Sequence, residues 1–162
     1  MKISCIQMDM RLGEVDCNFA HAQALIRSAA EAEHPDVVVL PETWNTGYFP
    51  ADLASTADKD GARTKEVFSA LARELNVNIV CGSVANRKAD GFSNTAYVFD
   101  RTGAVIAEYD KPHLFTYARE HEYFRPGDHT CRFTLDGKSC GLIICYDLRF
   151  PELTRSMTLE WL

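Results

Sequence analysis

Three kinds of side chain in this sequence could act together on an acyl carbon: a cysteine as nucleophile, a carboxylate as base and a lysine to hold developing negative charge. Cys145 lies where the apolar run GLIIC meets YDLRFPE, so its side chain projects from a strand-to-helix turn. A thiolate there is favoured by the positive end of a helix, and the backbone N–H groups of such a turn point where an oxyanion forms. Glu42 closes DVVVLPE and is carried to the carboxyl edge of a buried strand, the edge at which open α/β sheets hold ligands. Lys111, in EYDKPHLF, follows a strand and precedes Pro112, which leaves it little freedom to wander. Glu120, in YAREHEYFRPGD, is a further acidic candidate with Glu122 beside it. Taken singly, each has a plainer reading: a packing cysteine, solvated carboxylates and a surface lysine.

The elements that must position these residues are legible from periodicity. KISCIQM reads as a short strand, and Asp16 as the N-cap of a helix over DCNFAHAQALIRSAAEAEH that buries Phe19, Ala22, Leu25, Ile26, Ala29 and Ala30. The β-branched run DVVVL has the character of a strand covered on both faces. A loop over residues 43 to 62 leads to a helix, TKEVFSALARELN, with Val67, Leu71 and Leu75 at helical spacing, and then to the strand VNIVCGSV. NTAYVFD and AVIAEYD flank Arg101, Thr102 and Gly103 as a hairpin. After a loop over 110 to 128 come the strands CRFTL and SCGLIIC around the turn DGK, then a helix over RFPELTRSMTLEWL with Pro151 in its first turn. The order β-α-β-α-β-β-β-β-β-α predicts an α/β sandwich with a mixed sheet.

Bulk properties narrow the partners. At 162 residues with 46% hydrophobic positions, the chain has the composition of one globular domain. A net charge of -6 without a Lys/Arg cluster argues against nucleic acid or an anionic membrane surface and for a small-molecule ligand. The N-terminus lacks the apolar core of a signal peptide, and no run reaches membrane-spanning length. The six cysteines are scattered without a C-x-x-C pair and read as reduced thiols of a cytoplasmic protein. A thiol metal site is a weak reading, because Cys140 and Cys145 share one strand at opposite-face spacing and no histidine completes a ligand set.

In order along the chain, PETWNTGY, YDKPHLF, REHEYFRPGD and GLIICYDLRFPE together resemble the signature blocks of the nitrilase superfamily of carbon–nitrogen hydrolases. The resemblance runs from ISCIQMDM to the helix after Cys145, and the wording CYDLRFPE is closest to the amidase branches, including omega-amidase-like enzymes. It implies an α-β-β-α sandwich of which residues 1–162 supply the N-terminal part of one domain, incomplete at the C-terminus. It implies that Glu42 is the general base, Lys111 the oxyanion stabiliser, Cys145 the nucleophile and Glu120 an assisting carboxylate that orients Lys111 or the substrate. The Tyr146 backbone N–H completes the oxyanion site. The implied reaction is amide hydrolysis through a cysteine thioester with release of ammonia, using no metal and no organic cofactor, in a homodimer or larger homo-oligomer. Arg149, four residues after the nucleophile on the first turn of the next helix, is read either as a ligand for a substrate carboxylate or as half of a structural ion pair.

Family members usually extend well beyond this length. An uncovered sheet face exposes more apolar surface than a monomer tolerates, so the chain alone is expected to be poorly stable or to pair with another copy. The rival readings are a catalytically silent α/β fragment and a non-catalytic module that binds a small carboxylated metabolite. Nitriles and N-carbamoyl compounds compete with amides as substrates.

Overall fold

The computed structural model describes residues 1–160. Along the chain, β1 (Ile3–Cys5), α1 (Val15–Glu33) and β2 (Val37–Val39) are followed by α2 (Leu53–Thr56), β3 (Asp58–Lys59), α3 (Ala62–Leu75) and β4 (Asn78–Val80). Then come β5 (Val84–Lys88), β6 (Gly91–Phe99), β7 (Val105–Asp110), β8 (Cys131–Leu135), β9 (Lys138–Leu142) and α4 (Pro151–Leu159). The short β2 lies parallel between β1 and β4, each joined to it by a helical crossover, which is why its VVV run is apolar on both faces. The long β6 runs antiparallel to β4 and β5 along one side and to β7 along the other, with β3 parallel to β5, making a mixed seven-stranded sheet.

Helices α1 and α3 cover one face. Phe19 and Ile26 from α1 and Phe68 and Leu71 from α3 close over Val38, Ile79 and Phe99, with Trp44 at the centre and its indole N–H donated to the Cys81 carbonyl at 2.9 Å. The opposite face is covered too. The antiparallel pair β8–β9 packs Phe133, Leu135, Leu142 and Ile144 against Val37, Val98 and Tyr109, and Met157 of α4 lies over Gly141 from beyond. The layers therefore run helix, sheet, sheet, helix, as the resemblance implied. This hairpin covers part of the sheet face expected to be bare, leaving Val39, Val80 and Ile106 only partly buried, and Ile3 on the edge strand, Leu148 and Leu159 are among the large apolar side chains left exposed.

Four local expectations need correction. Asp16 is not the cap of α1: Glu14 is, without a side-chain bond, and Asp16 sits in the first turn paired with Arg63 at 2.6 Å. The buried stripe of α3 is centred on Phe68 and Leu71, with Val67 and Leu75 only partly covered. The loop over 43 to 62 contains α2 and β3. VNIVCGSV is not one strand, because at Gly82, with φ of +48°, the chain passes so close to Leu40 and Pro41 that a Cβ would lie 1.9 Å from the Pro41 carbonyl oxygen. Ser83 then opens a second hairpin strand, β5, which the polar stretch ANRKADGFS does not announce by alternation. Gly103 takes the positive φ, +81°, that the β6–β7 turn requires. Trp161 and Leu162, the last of the expected terminal helix, lie outside the described residues.

Trp44 fills the centre of this core and stands two residues after Glu42. Trp44→Ala is expected to lower unfolding stability by about 3–5 kcal/mol, read from the urea midpoint by far-ultraviolet dichroism. An unchanged midpoint would contradict the packing described.

Candidate functional site

Glu42 is set by the Gly82 approach. The Ser83 N–H reaches the Pro41 carbonyl at 3.1 Å, the Ser83 hydroxyl accepts from the Thr43 N–H at 3.0 Å, and the Trp44 N–H reaches the Ser83 carbonyl at 3.2 Å. These bonds fasten both sides of Glu42 to the end of β4, so its carboxylate points along the sheet edge rather than into solvent. Oε1 accepts from Lys111 Nζ at 2.7 Å and from Asn94 Nδ2 at 2.8 Å, and Oε2 accepts from the Tyr48 hydroxyl.

Lys111 leaves β7 with its N–H on the Asn94 carbonyl at 3.0 Å, and its own carbonyl accepts from Gly127 at 3.0 Å. Gly127 packs on Asp110 where a Cβ would meet the Asp110 carbonyl oxygen at 2.1 Å, so the loop from 110 to 128 is pinned against the lysine's backbone. The ammonium is fully enclosed and lies between Glu42 and Glu120, the latter at 2.8 Å. Glu120 is itself buried on a 3-10 turn, and accepts from the Phe115 N–H at 2.6 Å and from Asn94 Nδ2 at 3.0 Å. The adjacent Glu122 pairs instead with Arg119 at the surface. Glu120 touches Lys111 directly, which makes its contact with the lysine rather than with open space the feature that defines it.

Cys145 follows Ile144, which continues the extended line of β9, and its own φ is +46°. Such a conformation costs a non-glycine residue about 1–3 kcal/mol and persists only where surrounding bonds enforce it. Cys145 is exposed there and lines one pocket with Glu42, whose carboxylate also accepts from the Tyr48 hydroxyl. One expectation fails here. The residues after Cys145 form a short 3-10 turn, Cys145–Arg149, and α4 begins only at Pro151, so the nucleophile does not sit on the first turn of an α-helix and Arg149 lies before that helix, not on it. The positive field at the thiol comes from the Lys111 ammonium instead.

The protonation states follow from these contacts. Burial raises the Cys145 thiol, the Glu42 carboxylate raises it further, and Lys111 only partly offsets them, so at neutral pH the resting group is the thiol. Burial also opposes ionisation of Glu42, but hydrogen bonds from Lys111 and Tyr48 outweigh it and hold the carboxyl below its ordinary range. Lys111 loses solvation by burial and regains more from Glu120 and Glu42, so its ammonium is held above the usual lysine value. A neutral thiol beside an ionised carboxylate is the arrangement of a nucleophile and its base.

All the expected site residues fall in one region. Tyr146 is in the first turn after the nucleophile, where backbone N–H groups lack an upstream carbonyl partner. Arg149 is exposed, has no ion pair among the described residues, and lines an open cleft of about 710 Å³ with Phe115, Tyr117, Cys145, Tyr146 and Leu148. Among the described residues no group of His, Cys, Asp and Glu is arranged to hold a metal ion, and all six cysteines are free thiols. Three residues of the site were not singled out from sequence: Tyr48, Asn94 and Asp147. Tyr48 and Asp147 lie inside the quoted motifs PETWNTGY and CYDLRFPE, which is a usable signal. Asn94 has none, since it meets both carboxylates only through strand pairing.

Comparison with known proteins shows the family and the fold. A family model described as carbon-nitrogen hydrolase matches residues 2–160. The chain is 43% identical over 156 residues to a 2-oxoglutaramate amidase of Bacillus subtilis, covering 96% of this chain and 60% of that protein. It is 30% identical over 161 residues to the omega-amidase NIT2 of Homo sapiens, covering 95% of this chain and 58% of the relative. It superposes on XC1258 of Xanthomonas campestris, a CN-hydrolase superfamily protein, with a TM-score of 0.85 and 30% identity over 94% of this chain and 56% of the other. Saccharomyces cerevisiae Nit3, a member of the nitrilase superfamily, gives a TM-score of 0.86 at 26% identity over 99% of this chain and 60% of that one.

The site's charges set a pH dependence. Glu42, held low, contributes stability that is complete above the unfolded carboxylate's pKa and is lost as pH falls through its lowered folded value; Lys111, held high, contributes below the unfolded lysine's pKa and loses it only as pH rises through the folded one. Stability from this site is expected to be flat through neutrality and to fall on the acid side. Lys111→Met, which leaves two carboxylates uncompensated, is expected to cost about 3–5 kcal/mol near neutrality and less in acid. Urea titrations at both pH values check this, and an equal loss at the two would contradict it.

Proposed function

The chain belongs to the carbon–nitrogen hydrolase family, and on that premise we propose that it serves as the nucleophile-bearing domain of an amidase that releases ammonia from a small amide. The observation that carries the reading is that Cys145 and Glu42 line one pocket, with the Glu42 carboxylate bonded at 2.7 Å to the enclosed Lys111 ammonium. Cys145 Sγ attacks the amide carbonyl carbon while its proton passes to Glu42. The oxyanion is held by Lys111 and the Tyr146 N–H. Lys111 Nζ donates to Glu42 Oε1 at 2.7 Å and to both oxygens of Glu120, at 2.8 and 3.2 Å, and it holds the oxyanion by giving up the longer of the two bonds to Glu120. Collapse of the intermediate breaks the C–N bond, and the Glu42 proton leaves on ammonia. Water then gives its proton to Glu42 and attacks the thioester, and the acid is released as the proton returns to Cys145. Glu120 holds Lys111 in place throughout. The residues supply the proton transfers and the charge stabilisation themselves.

Arg149 gives the substrate its class. An exposed guanidinium with no ion pair among the described residues, in the cleft beside Cys145, suits a carboxylate at the far end of the amide, and the names of the Bacillus and human relatives, a 2-oxoglutaramate amidase and an omega-amidase, support that choice over a nitrile or an N-carbamoyl compound. Because the chain covers about three fifths of those relatives, the whole activity is a proposal for residues 1–162 acting as part of one domain. A cytoplasmic location is supported by the free thiols, and a homo-oligomer by exposed Ile3, Leu148 and Leu159. No described helix is long and apolar enough to cross a membrane.

Cys145→Ala and Lys111→Ala are expected to abolish ammonia release, and Glu42→Gln to reduce it about 10²–10⁴-fold. Any of the three with full turnover sinks the mechanism. Arg149→Ala is expected to raise KM about tenfold or more for a carboxylated amide and to leave a neutral amide unaffected. Equal effects on both would remove Arg149 from substrate recognition, and a folded parent that binds carboxylates without releasing ammonia would favour the binding-module reading.

A further inference from the structure

Asp147 is fully buried, plays no part in the mechanism above, and receives four donors. Oδ2 accepts from the Ile144 N–H and the Tyr109 hydroxyl, each at 2.9 Å. Oδ1 accepts from the His113 N–H at 3.1 Å and faces His113 Nδ1 at 2.9 Å, with the His113 ring stacked on Phe150 at 3.7 Å between centroids. Tyr109 and His113 stand two residues before and after Lys111, while Ile144 immediately precedes Cys145. The carboxylate thus spans the two chain segments that carry the ammonium and the nucleophile.

We infer that Asp147 is the positioning residue that fixes the distance and orientation between Cys145 and the Lys111–Glu42 pair. The geometry requires a carboxylate and not merely a polar group. The two backbone donors, Ile144 N–H and His113 N–H, fall on different oxygens. The tyrosine hydroxyl can rotate and the imidazole can change tautomer, but a backbone N–H can only donate. An asparagine in either flip sets its NH2 against one of these two N–H groups, leaving a buried donor unmet. Release of Ile144 loosens the residue that immediately precedes Cys145 and its positive φ, and release of His113 loosens the loop that follows Lys111.

This inference rests on the reading that Glu42 takes the thiol's proton, so its test is alkylation and not turnover. Iodoacetamide modification of Cys145 is followed by peptide mass across pH, with exposed Cys5 as an internal reference. In the parent, Cys145 reactivity is expected to persist down to the pH at which Glu42 protonates. In folded Asp147→Asn it is expected to fall about tenfold or more near neutrality and to follow the rising profile of an ordinary thiol, with Cys5 unchanged. A Cys145 rate and pH profile within about twofold of the parent overturns the inference. Should Asp147→Asn not fold, Tyr109→Phe/His113→Ala keeps both backbone bonds and is expected to slow Cys145 severalfold, and an unchanged Cys145 rate there also overturns it. Glu42→Gln run alongside separates the two claims: if it leaves the Cys145 profile unaltered, the base assignment fails whatever Asp147 does.

Discussion

Lys111 carries an ammonium into a position with no solvent contact, and a charge there is tolerable only if fixed partners replace its lost hydration. Glu42 and Glu120 are those partners, and Asn94 bonds both of them. This requirement reaches far into the structure. Glu42 must arrive from the end of β2, Lys111 from the end of β7 and Glu120 from a 3-10 turn, so strands distant in sequence have to converge on one edge. The close pass of Gly82 over Pro41 and of Gly127 over Asp110 are the backbone conditions for that convergence. Burial and the Glu42 carboxylate disfavour a thiolate more than Lys111 favours it, so the thiol stays protonated until a base removes its proton during attack.

The sandwich serves this arrangement by placing the nucleophile on a different sheet from its base. β2 and β7 belong to the mixed sheet, whereas Cys145 follows the β8–β9 pair stacked upon it. Relative sliding of the two sheets would separate thiol from carboxylate. Apolar packing of Phe133, Leu142 and Ile144 on the sheet resists separation without fixing register, since the hydrophobic effect is non-directional. Directional bonds must do that, and the Asp147 carboxylate makes them from the nucleophile's turn to the segment holding Lys111.

Much of this was legible in the sequence because the informative residues lie at element ends. DVVVLPE and GLIICYDLRFPE each show an apolar strand stopping at a reactive side chain, and four motifs in order identified the family where any one residue had a plainer explanation. The layer order followed, as did the nearness of Glu42, Lys111 and Glu120, whereas Arg149 lies before the helix it was expected to open. What was not legible depends on pairing across the sheet. β5 and the first half of β6 are polar stretches whose burial comes from hydrogen bonding between Asn86, Asn94, Thr95 and their neighbours, and no apolar alternation marks them. RFPE is helix-compatible, so Arg149 and Phe150 read as helix, whereas Arg149 closes the 3-10 turn and α4 begins only at Pro151, which suits the first turn and not the interior.

The central claim is that the acyl group passes through Cys145, and the most direct measurement is a rapid acid quench of the chain with a small carboxylated amide, followed by intact and peptide mass with ammonia assayed in the same samples. The account predicts an added acyl mass on Cys145 alone, appearing with ammonia and decaying as free acid forms. Ammonia released with no adduct on Cys145, or an adduct on another cysteine, would contradict it.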